Sequence, residues 1–511
     1  MTAIPLYFEL PEKLPVTKFL KKLNQNLDFE IASQQYAVKT FYDTFDWRLY
    51  GADCICELNQ SKTASTFSLI NKNTGLYLAV EEYRDTPKFS GQLPEGSLKT
   101  QLTALIEMRA LLPLSQLPHQ LYRLNVLNKD RKTILRIQLD EYESLGNQIS
   151  LLPLKGYEMA AAKVGTILQK SLKIKPTSPC TVLKKTLKQQ GRKTNDYSSK
   201  LAIKLSPKMP ADKASIIIYQ QLLHAIQLNE SYTLADIDTE FLHDFRVAIR
   251  RTRAGLSQIK NTLPANAVTK YAVFFAWLGQ ITGPTRDLDV YLLSYKQYQA
   301  SLPESLQQDL IPLYTFLKHK QVIAQKEFAD KLSSSTYHKQ LREWEAFLKQ
   351  DLPKKGTGRN AKLTIKELAD QRIWKVYKRI LNEGNAISEA SPAEALHDLR
   401  KTCKKLRYLM EFFQSLYPAT EFKSVLKTLK GFQAVLGDFQ DYEIQEINLK
   451  KFSKEMMTQK TPADTFLAMG VLVQHLDTMR CTARNDFARQ FDLFKQAKNQ
   501  HTFKSLFALK T

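Results

Sequence analysis

The sequence predicts two domains of different classes, a β-rich α+β domain followed by an all-α domain that contains two related halves. Three observations support this prediction. Short apolar runs separated by turn residues occupy the first part of the chain, long stretches of helical periodicity with little glycine occupy the second, and one motif occurs twice in that second part. The predicted boundaries are 1–160 for the first domain, 161–200 for a linker, and 201–511 for the helical domain, with repeats at about 201–355 and 356–511.

The N-terminal domain contains two candidate β-hairpins. One joins Thr66–Ile70 to Leu76–Val80 across an Asn-Thr-Gly turn, and the other joins Tyr122–Val126 to Ile134–Leu139 across residues 128–130. Strand-forming runs separated by Asn, Asp or Gly are typical of antiparallel pairs. We therefore expect antiparallel sheet in this domain.

The positive charge of the chain is unevenly distributed. Residues 1–160 contain 18 basic and 18 acidic side chains, so the whole formal excess of +23 lies after residue 160. Residues 161–200 alone contain ten basic side chains and one acidic side chain. This composition predicts a basic linker, which could be a solvated spacer or could contribute to binding an acidic partner.

The helical domain contains an internal duplication. Leu242–Arg253 recurs as Leu396–Arg407 at an offset of 154 residues, and the same offset relates Gly283 to Gly437. On a helix, His243, Arg246, Arg250 and Arg253 fall within an arc of about 80°, opposite the apolar residues, and the equivalent residues of the second motif do the same. A solvated basic face would not require histidine and arginine in the same order twice, so we favour an anion-binding site.

Arginine suits such a site because its planar guanidinium makes two hydrogen bonds to one phosphate group. Each motif histidine could contact the ligand or could instead link two helices by a hydrogen bond. Asp287 and Asp441 are expected to orient arginines, because a carboxylate that faces phosphate is repulsive. The candidate ligand-binding residues are His243, Arg246, Arg250, Arg251, Arg253, His397, Arg400, Lys401, Lys404, Lys405 and Arg407.

Together, these motifs resemble the CHAD family, the conserved histidine α-helical domain. The pattern L-H-D-x-R-x-x-x-[RK]-[RK]-x-R, followed by Trp277-Leu278-Gly279 and Arg286-Asp287-Leu288-Asp289-Val290, carries the resemblance, which covers roughly residues 200–505. The resemblance implies two pseudo-symmetric four-helix halves that bind inorganic polyphosphate through their basic faces. Association with polyphosphate granules is a further expectation.

The N-terminal part resembles the triphosphate tunnel, or CYTH, family at Tyr42–Leu49 and Leu139–Glu143. This likeness implies a tunnel-like β-rich domain that binds triphosphate and a divalent metal. Of the family signature E-x-E-x-K, only Glu9 is present, within Tyr7–Pro11. The family has an arginine-bearing strand after the Asp-Thr segment, whereas this chain has Cys54–Glu57 there, without an arginine. We therefore predict no catalytic residue, metal site or cofactor. A Mg²⁺-dependent triphosphatase or polyphosphatase is the alternative function, and nucleic-acid binding is a second alternative that rests on net charge.

The remaining features are mainly negative. Five cysteines without a CxxC pair or a nearby His cluster predict neither a disulfide framework nor a zinc site. The first residues lack a signal-peptide pattern, and no apolar run approaches the ~20 residues needed to span a membrane. These features predict a cytoplasmic protein without a membrane partner, and they predict no particular oligomeric state.

Overall fold

The computed structural model describes residues 4–85, 87–199, 201–350 and 358–508. The chain divides into two compact units, Met1–Ser199 and Lys200–Thr511. The first unit is built on a β-sheet and the second on helices, so the predicted fold classes are confirmed.

The first unit contains an antiparallel sheet with the strand order β5-β4-β3-β2-β6-β7-β8-β1-β9. Both predicted hairpins are present as β4–β5 and β6–β7. The strands are β1 (Leu6–Leu10), β2 (Phe29–Asp43), β3 (Cys54–Ser61), β4 (Ser65–Asn71), β5 (Tyr77–Glu82), β6 (Leu112–Leu127), β7 (Thr133–Tyr142), β8 (Asn147–Pro153) and β9 (Lys175–Pro176).

A contact between β1 and the β4–β5 turn shows that the sheet is curled. Tyr7 Oη donates a hydrogen bond of 3.1 Å to the Gly75 carbonyl, although β1 and β5 lie near opposite ends of the strand order. Gly75 has a φ of +75°, and a Cβ there would lie 2.2 Å from the Tyr7 ring. Glycine is therefore required both by the backbone conformation and by the close approach of Tyr7. The tunnel-like curvature expected for this domain is confirmed.

The segment expected to be a linker is folded onto this sheet. β9 pairs with β1, and α5 buries Val182 and Leu187 in a cluster that includes Trp47. The observed division after Ser199 lies within one residue of the predicted start of the helical domain, but residues 161–199 belong to the first unit and are not a separate linker. The high lysine content of this segment hides the apolar spacing that anchors α5. The helices of the unit are α1 (Val16–Asn24), α2 (Arg48–Gly51), α3 (Ser97–Ile106), α4 (Glu158–Thr166) and α5 (Thr181–Gln189).

The second unit is helical throughout its described residues. Its helices are α6 (Ala211–Leu234), α7 (Thr239–Gln258), α8 (Ala265–Ile281), α9 (Gly283–Ala300), α10 (Glu304–Gln307), α11 (Ile311–Leu332), α12 (Ser335–Lys349), α13 (Ile365–Asn385), α14 (Ala393–Phe413), α15 (Ala419–Met457), α16 (Ala463–Phe494) and α17 (Ala497–Phe507). Over the described part of the chain, no helix is long and apolar enough to cross a membrane.

The duplication extends well beyond the motif seen in the sequence. Helices α6 and α13 begin 154 residues apart, and so do α7 and α14, and α8 and α15. The two motif helices contribute to one apolar core, with Phe245 and Ile249 of α7 and Leu399 and Cys403 of α14 all buried. The predicted pair of related halves is confirmed.

The halves differ where α8 and α9 correspond to the single helix α15. Pro284 follows the break between α8 and α9, whereas its equivalent in the middle of α15 is Asp438. Proline has no backbone N–H and its ring collides with the carbonyl four residues earlier, so it interrupts a continuous helix. One substitution therefore accounts for this local difference between the repeats.

Candidate functional site

The basic faces of the two motif helices converge on one cavity of ≈ 290 Å³ in the helical unit. Both repeats contribute side chains to its wall through α7, α9, α14 and α15. The lining residues are His243, Arg246, Arg250, Arg286, Asp287, Val290, Tyr291, Arg400, Lys404, Asp441, Ile444, Gln445 and Asn448. Five of these side chains are Lys or Arg and two are Asp, so the cavity is positively charged.

The lining residues are largely equivalent pairs of the two repeats. The 154-residue offset relates Arg250 to Lys404, and likewise Arg246 to Arg400, Asp287 to Asp441 and Val290 to Ile444. The cavity therefore lies where the two repeats face each other. A single repeat would supply only part of its wall.

Arg246 is held in place by neutral acceptors. Its Nη1 donates to the Gly279 carbonyl at 3.2 Å and to Thr282 Oγ1 at 2.6 Å. Burial lowers the pKa of Arg246 to about 10; the attraction of Asp287 opposes this shift, and repulsion from neighbouring arginines adds to it. The side chain thus remains charged at neutral pH and lacks a close anionic partner of its own.

Arg400 has a different set of partners. Its Nη1 donates to Gln440 Oε1 at 2.8 Å, and its Nη2 pairs with Asp441 Oδ1 at 3.1 Å. A Cβ at Gly437 would lie 3.3 Å from Arg400 Nη2, and a Cβ at the equivalent Gly283 would lie 3.9 Å from Arg246 Nη1. The duplicated glycines therefore lie beside the duplicated arginines, and the second leaves little room for a side chain.

Asp287 and Asp441 both line the cavity, as the repeat suggested, but only Asp441 makes an ion pair with its arginine. Burial raises the pKa of Asp287, and the attraction of Arg246 and Arg286 partly opposes this rise. A direct contact between an aspartate and the arginine of its own repeat is therefore present at Asp441.

The two motif histidines occupy corresponding positions. His243 lines the cavity, whereas His397 Nε2 lies 2.7 Å from Glu443 Oε2, on α15. The contact of His397 links two helices, which is the structural role considered for it from the sequence. His243 lies among the basic residues of the cavity, where a bound anion would favour its charged form.

Several motif cations lie outside the cavity wall. Arg251 Nη2 pairs with buried Glu411 Oε2 at 2.8 Å, and Arg407 Nε pairs with Glu411 Oε1 at 2.8 Å. Burial opposes ionisation of Glu411, but these two arginines hold its pKa below the ordinary value. Glu411 therefore ties α7 to α14, and Arg251 serves this link between the repeats.

The other predicted cations are more exposed. Lys401 pairs with Asp398 at 2.9 Å on the surface, and Lys405 is half-buried outside the cavity. Arg253 is exposed, and a Cβ at Gly279 would lie 2.8 Å from its Nη1. Arg253 therefore crosses α8 at a position where glycine leaves room for its guanidinium.

The sequence reasoning did not identify Arg286 as a candidate binding residue. Arg286 lines the cavity from α9 and makes one long hydrogen bond of 3.4 Å to the Thr239 carbonyl. Its equivalent in the second repeat is the uncharged Gln440, so Arg286 is not part of the duplicated basic pattern. Its position beside Asp287 was the available signal.

The N-terminal unit contains a buried charge network formed by side chains of four strands. Lys39 Nζ lies 2.7 Å from Asp140 Oδ2 and 3.9 Å from Glu57 Oε2, and His119 Nε2 lies 3.4 Å from Asp140 Oδ1. Burial disfavours the ionised carboxyl of Asp140, but Lys39 and His119 hold its pKa well below the usual range. The positive charge of Lys39 is thus already balanced by a carboxylate within the protein.

The acidic residues considered as metal ligands also have protein partners. Glu9 pairs with Lys185 at 2.5 Å, Glu141 accepts a hydrogen bond from Tyr122, and Glu81 accepts one from the Leu98 amide. In the described ranges, no group of three or more His, Cys, Asp or Glu is arranged to hold a metal ion. The five cysteines are free thiols, as expected.

Residues 217–450 match the model of the CHAD domain family. This match agrees with the resemblance of the duplicated motifs. A comparison with curated proteins gives no match.

Several solved structures are similar to the chain. The CHAD domain from the plant Ricinus communis is 22% identical, with a TM-score of 0.44 over 61% of this chain and 96% of that chain. PptA from Streptomyces chartreusis is 16% identical, with a TM-score of 0.44 over 56% of this chain and 100% of that chain. HpAC1 from Hippeastrum, described as an adenylyl cyclase with a dominant triphosphatase activity, is 13% identical, with a TM-score of 0.27 over 38% and 97%.

Proposed function

Because residues 217–450 are a CHAD domain, we propose that this protein binds inorganic polyphosphate in the cavity between its two helical repeats. The observation that carries the proposal is the convergence of five cationic side chains from both repeats on that cavity. Polyphosphate is a flexible chain with about one negative charge per phosphate. Its receptor therefore needs several cations in a row, as in phosphate-backbone recognition of nucleic acids.

The chemistry of the wall supports this ligand. Arg246, Arg250 and Arg286 supply guanidinium groups that can contact phosphate oxygens through two hydrogen bonds each. Lys404 adds a point charge beside them. Granule association would follow from this binding, since a polyphosphate-rich body offers many copies of the ligand.

Nucleic acids are a less suitable ligand for the cavity. Apart from the imidazole of His243, Tyr291 carries the one aromatic ring among the described residues that line it, and this side chain is 3% exposed. Binding of single-stranded nucleic acid usually uses accessible aromatic rings on which bases stack. The cavity therefore favours a ligand that consists of phosphate alone.

The buried network of Lys39 argues against the triphosphatase alternative. Phosphoryl transfer needs cations or a metal ion to offset charge on the transferred group. Lys39 already neutralises Asp140 inside the curled sheet. We therefore favour a binding function over hydrolysis.

A competition experiment tests the proposal and both alternatives. Labelled long-chain polyphosphate is mixed with the full-length protein and displaced by unlabelled polyphosphate, single-stranded RNA or duplex DNA at equal phosphate concentration. Free phosphate is measured in the same samples with Mg²⁺ or Mn²⁺. We expect polyphosphate to compete best, binding to weaken as salt rises because counterions are released, and no phosphate to appear. Equal competition by RNA or DNA would favour a nucleic-acid binder, and metal-dependent release of phosphate would favour the enzyme.

A further inference from the structure

The two repeats contribute unequal walls to the cavity. We define the first wall as Arg246, Arg250 and Arg286, and the second wall as Arg400 and Lys404. Gln440 occupies the position equivalent to Arg286 but does not line the cavity. Within the described residues, no first-wall arginine makes an ion pair. In the second wall, Arg400 is paired with Asp441 at 3.1 Å and bound by Gln440 at 2.8 Å.

Pairing matters because a guanidinium that already binds a carboxylate must exchange that partner before it contacts phosphate. Arg246 uses only Nη1 for its hydrogen bonds to the Gly279 carbonyl and to Thr282. Its Nε and Nη2 make no hydrogen bond to other described residues, so this part of the guanidinium is available to an anion. Arg400 uses both terminal nitrogens within the protein.

The acidic groups near the walls strengthen this difference. Asp441 lines the cavity and pairs with Arg400 at 3.1 Å, so this carboxylate competes with a bound anion at the second wall. The equivalent Asp287 also lines the cavity but makes no ion pair with another described residue. Glu443 and its equivalent Asp289 both lie outside the cavity lining.

We infer that polyphosphate is held mainly by the first wall, and that Arg286 is a binding residue without a counterpart in the second repeat. This inference rests on the proposed function. It assigns the stronger contacts with polyphosphate to one side of the cavity, although the two motif helices that line it are nearly equivalent in sequence. Net charge alone would predict equal contributions from equivalent positions.

Two charge-neutral double variants separate these possibilities. Arg246→Gln with Asp287→Asn removes one charge of each sign from the first wall, and Arg400→Gln with Asp441→Asn does the same at the equivalent positions of the second. We expect the first double variant to weaken polyphosphate binding by about tenfold, the loss of one charge-assisted hydrogen bond. The second is expected to weaken it by about threefold or less, because it removes a pair that neutralises itself.

Equal losses in the two double variants, or a larger loss at the second wall, would overturn the inference. An absence of polyphosphate binding by the unmodified protein would instead refute the proposed function. Helical content by circular dichroism and the melting temperature show whether either variant is misfolded.

Arg286 provides an independent test that does not disturb the contacts of Arg246. Arg286→Gln copies the residue of the second repeat and removes only a long hydrogen bond to Thr239. It should weaken binding by about threefold or more, whereas Gln440→Arg should strengthen it by less than about twofold. Changes of equal size and opposite sign would show that net charge alone determines affinity, and the inference would be wrong.

Discussion

Arg250 and Lys404, which occupy the same position in the two repeats, line one cavity. Burial of Lys404, and then repulsion from Arg400 and Arg250, lowers its pKa to about 8. The protonation of Lys404 therefore changes just above neutral pH, where the guanidinium groups around it remain charged. The lowered pKa of Lys404 makes the proposed binding site sensitive to pH.

We predict that polyphosphate binding weakens as pH rises from 7 to 9. A bound polyanion favours protonated Lys404, so the free protein must take up a proton when it binds at pH above about 8. Lys404→Arg should bind with a flatter pH profile, because arginine remains charged throughout. Isothermal titration calorimetry in two buffers with different ionisation enthalpies measures the proton uptake directly. Identical pH profiles for the two proteins would contradict the prediction.

The basic side chains of both motif helices, α7 and α14, should contribute to the affinity for polyphosphate. Replacing Arg246, Arg250 and Arg253 together by Ala should weaken polyphosphate binding by more than about tenfold, because several phosphate contacts are lost at once. Replacing the equivalent residues Arg400, Lys404 and Arg407 should also weaken it by at least about tenfold. Fluorescence titration with labelled polyphosphate measures both. A matched control is Lys401→Ala with Lys405→Ala, which removes two charges outside the cavity wall and should have a smaller effect.

Removing Lys39 should destabilise the N-terminal unit. Lys39→Met would leave buried Asp140 without its main partner, and loss of one member of a buried ion pair costs about 3–5 kcal/mol. Urea denaturation followed by circular dichroism tests this cost. The double variant Lys39→Met with Asp140→Leu should recover part of the stability, because Asp140 no longer leaves an unpaired buried charge, whereas Glu57 still loses the ammonium group 3.9 Å away. A single variant as stable as the wild type would show that the pair contributes little.

The same network predicts how stability depends on pH. The pKa of Asp140 is depressed in the folded state, so its contribution is complete above the unfolded-state pKa and is lost as pH falls through the folded value. Asp140→Asn should remove this part of the acid sensitivity. Unfolding curves recorded for both proteins from pH 7 down to about pH 2, and so below the unfolded-state pKa of an aspartate, provide the comparison.

We predict that the full-length protein releases no phosphate from inorganic triphosphate above background with Mg²⁺ or Mn²⁺. Lys39 is neutralised by Asp140, and Glu9 by Lys185, so neither is available to bind triphosphate or metal. Phosphate release is measured against a sample without protein. Metal-dependent release that disappears in the Glu57→Gln variant would show that the interior of the sheet is an active site after all.

The sequence predicted the helical fold and much of the candidate site because both depend on residues that recur at a fixed offset. It did not identify Arg286, since the second repeat has Gln440 at that position. The roles of Arg251 and Arg407 also required the structure. Their shared partner Glu411 has no counterpart in the first repeat, where Ser257 occupies the equivalent position.

The N-terminal unit was less predictable because its polar interior depends on contacts between distant strands. Lys39, Glu57 and Asp140 lie far apart in the sequence, and no local pattern indicates that they meet. The segment after residue 160 was misassigned for a different reason. Its lysines suggested a linker, although Leu183 and Leu187 have the helical spacing of a buried face.

The closure of the curled sheet by β1 has a consequence for the order in which the N-terminal unit folds. β1 is synthesised before the other strands, but it pairs with β8 and β9, which lie near the end of the unit. Such contacts between distant parts of the chain raise the contact order and slow folding. Until β8 has left the ribosome, the apolar residues Phe8 and Leu10 lack their sheet partners. The nascent unit is therefore most exposed to aggregation before β8 pairs with β1.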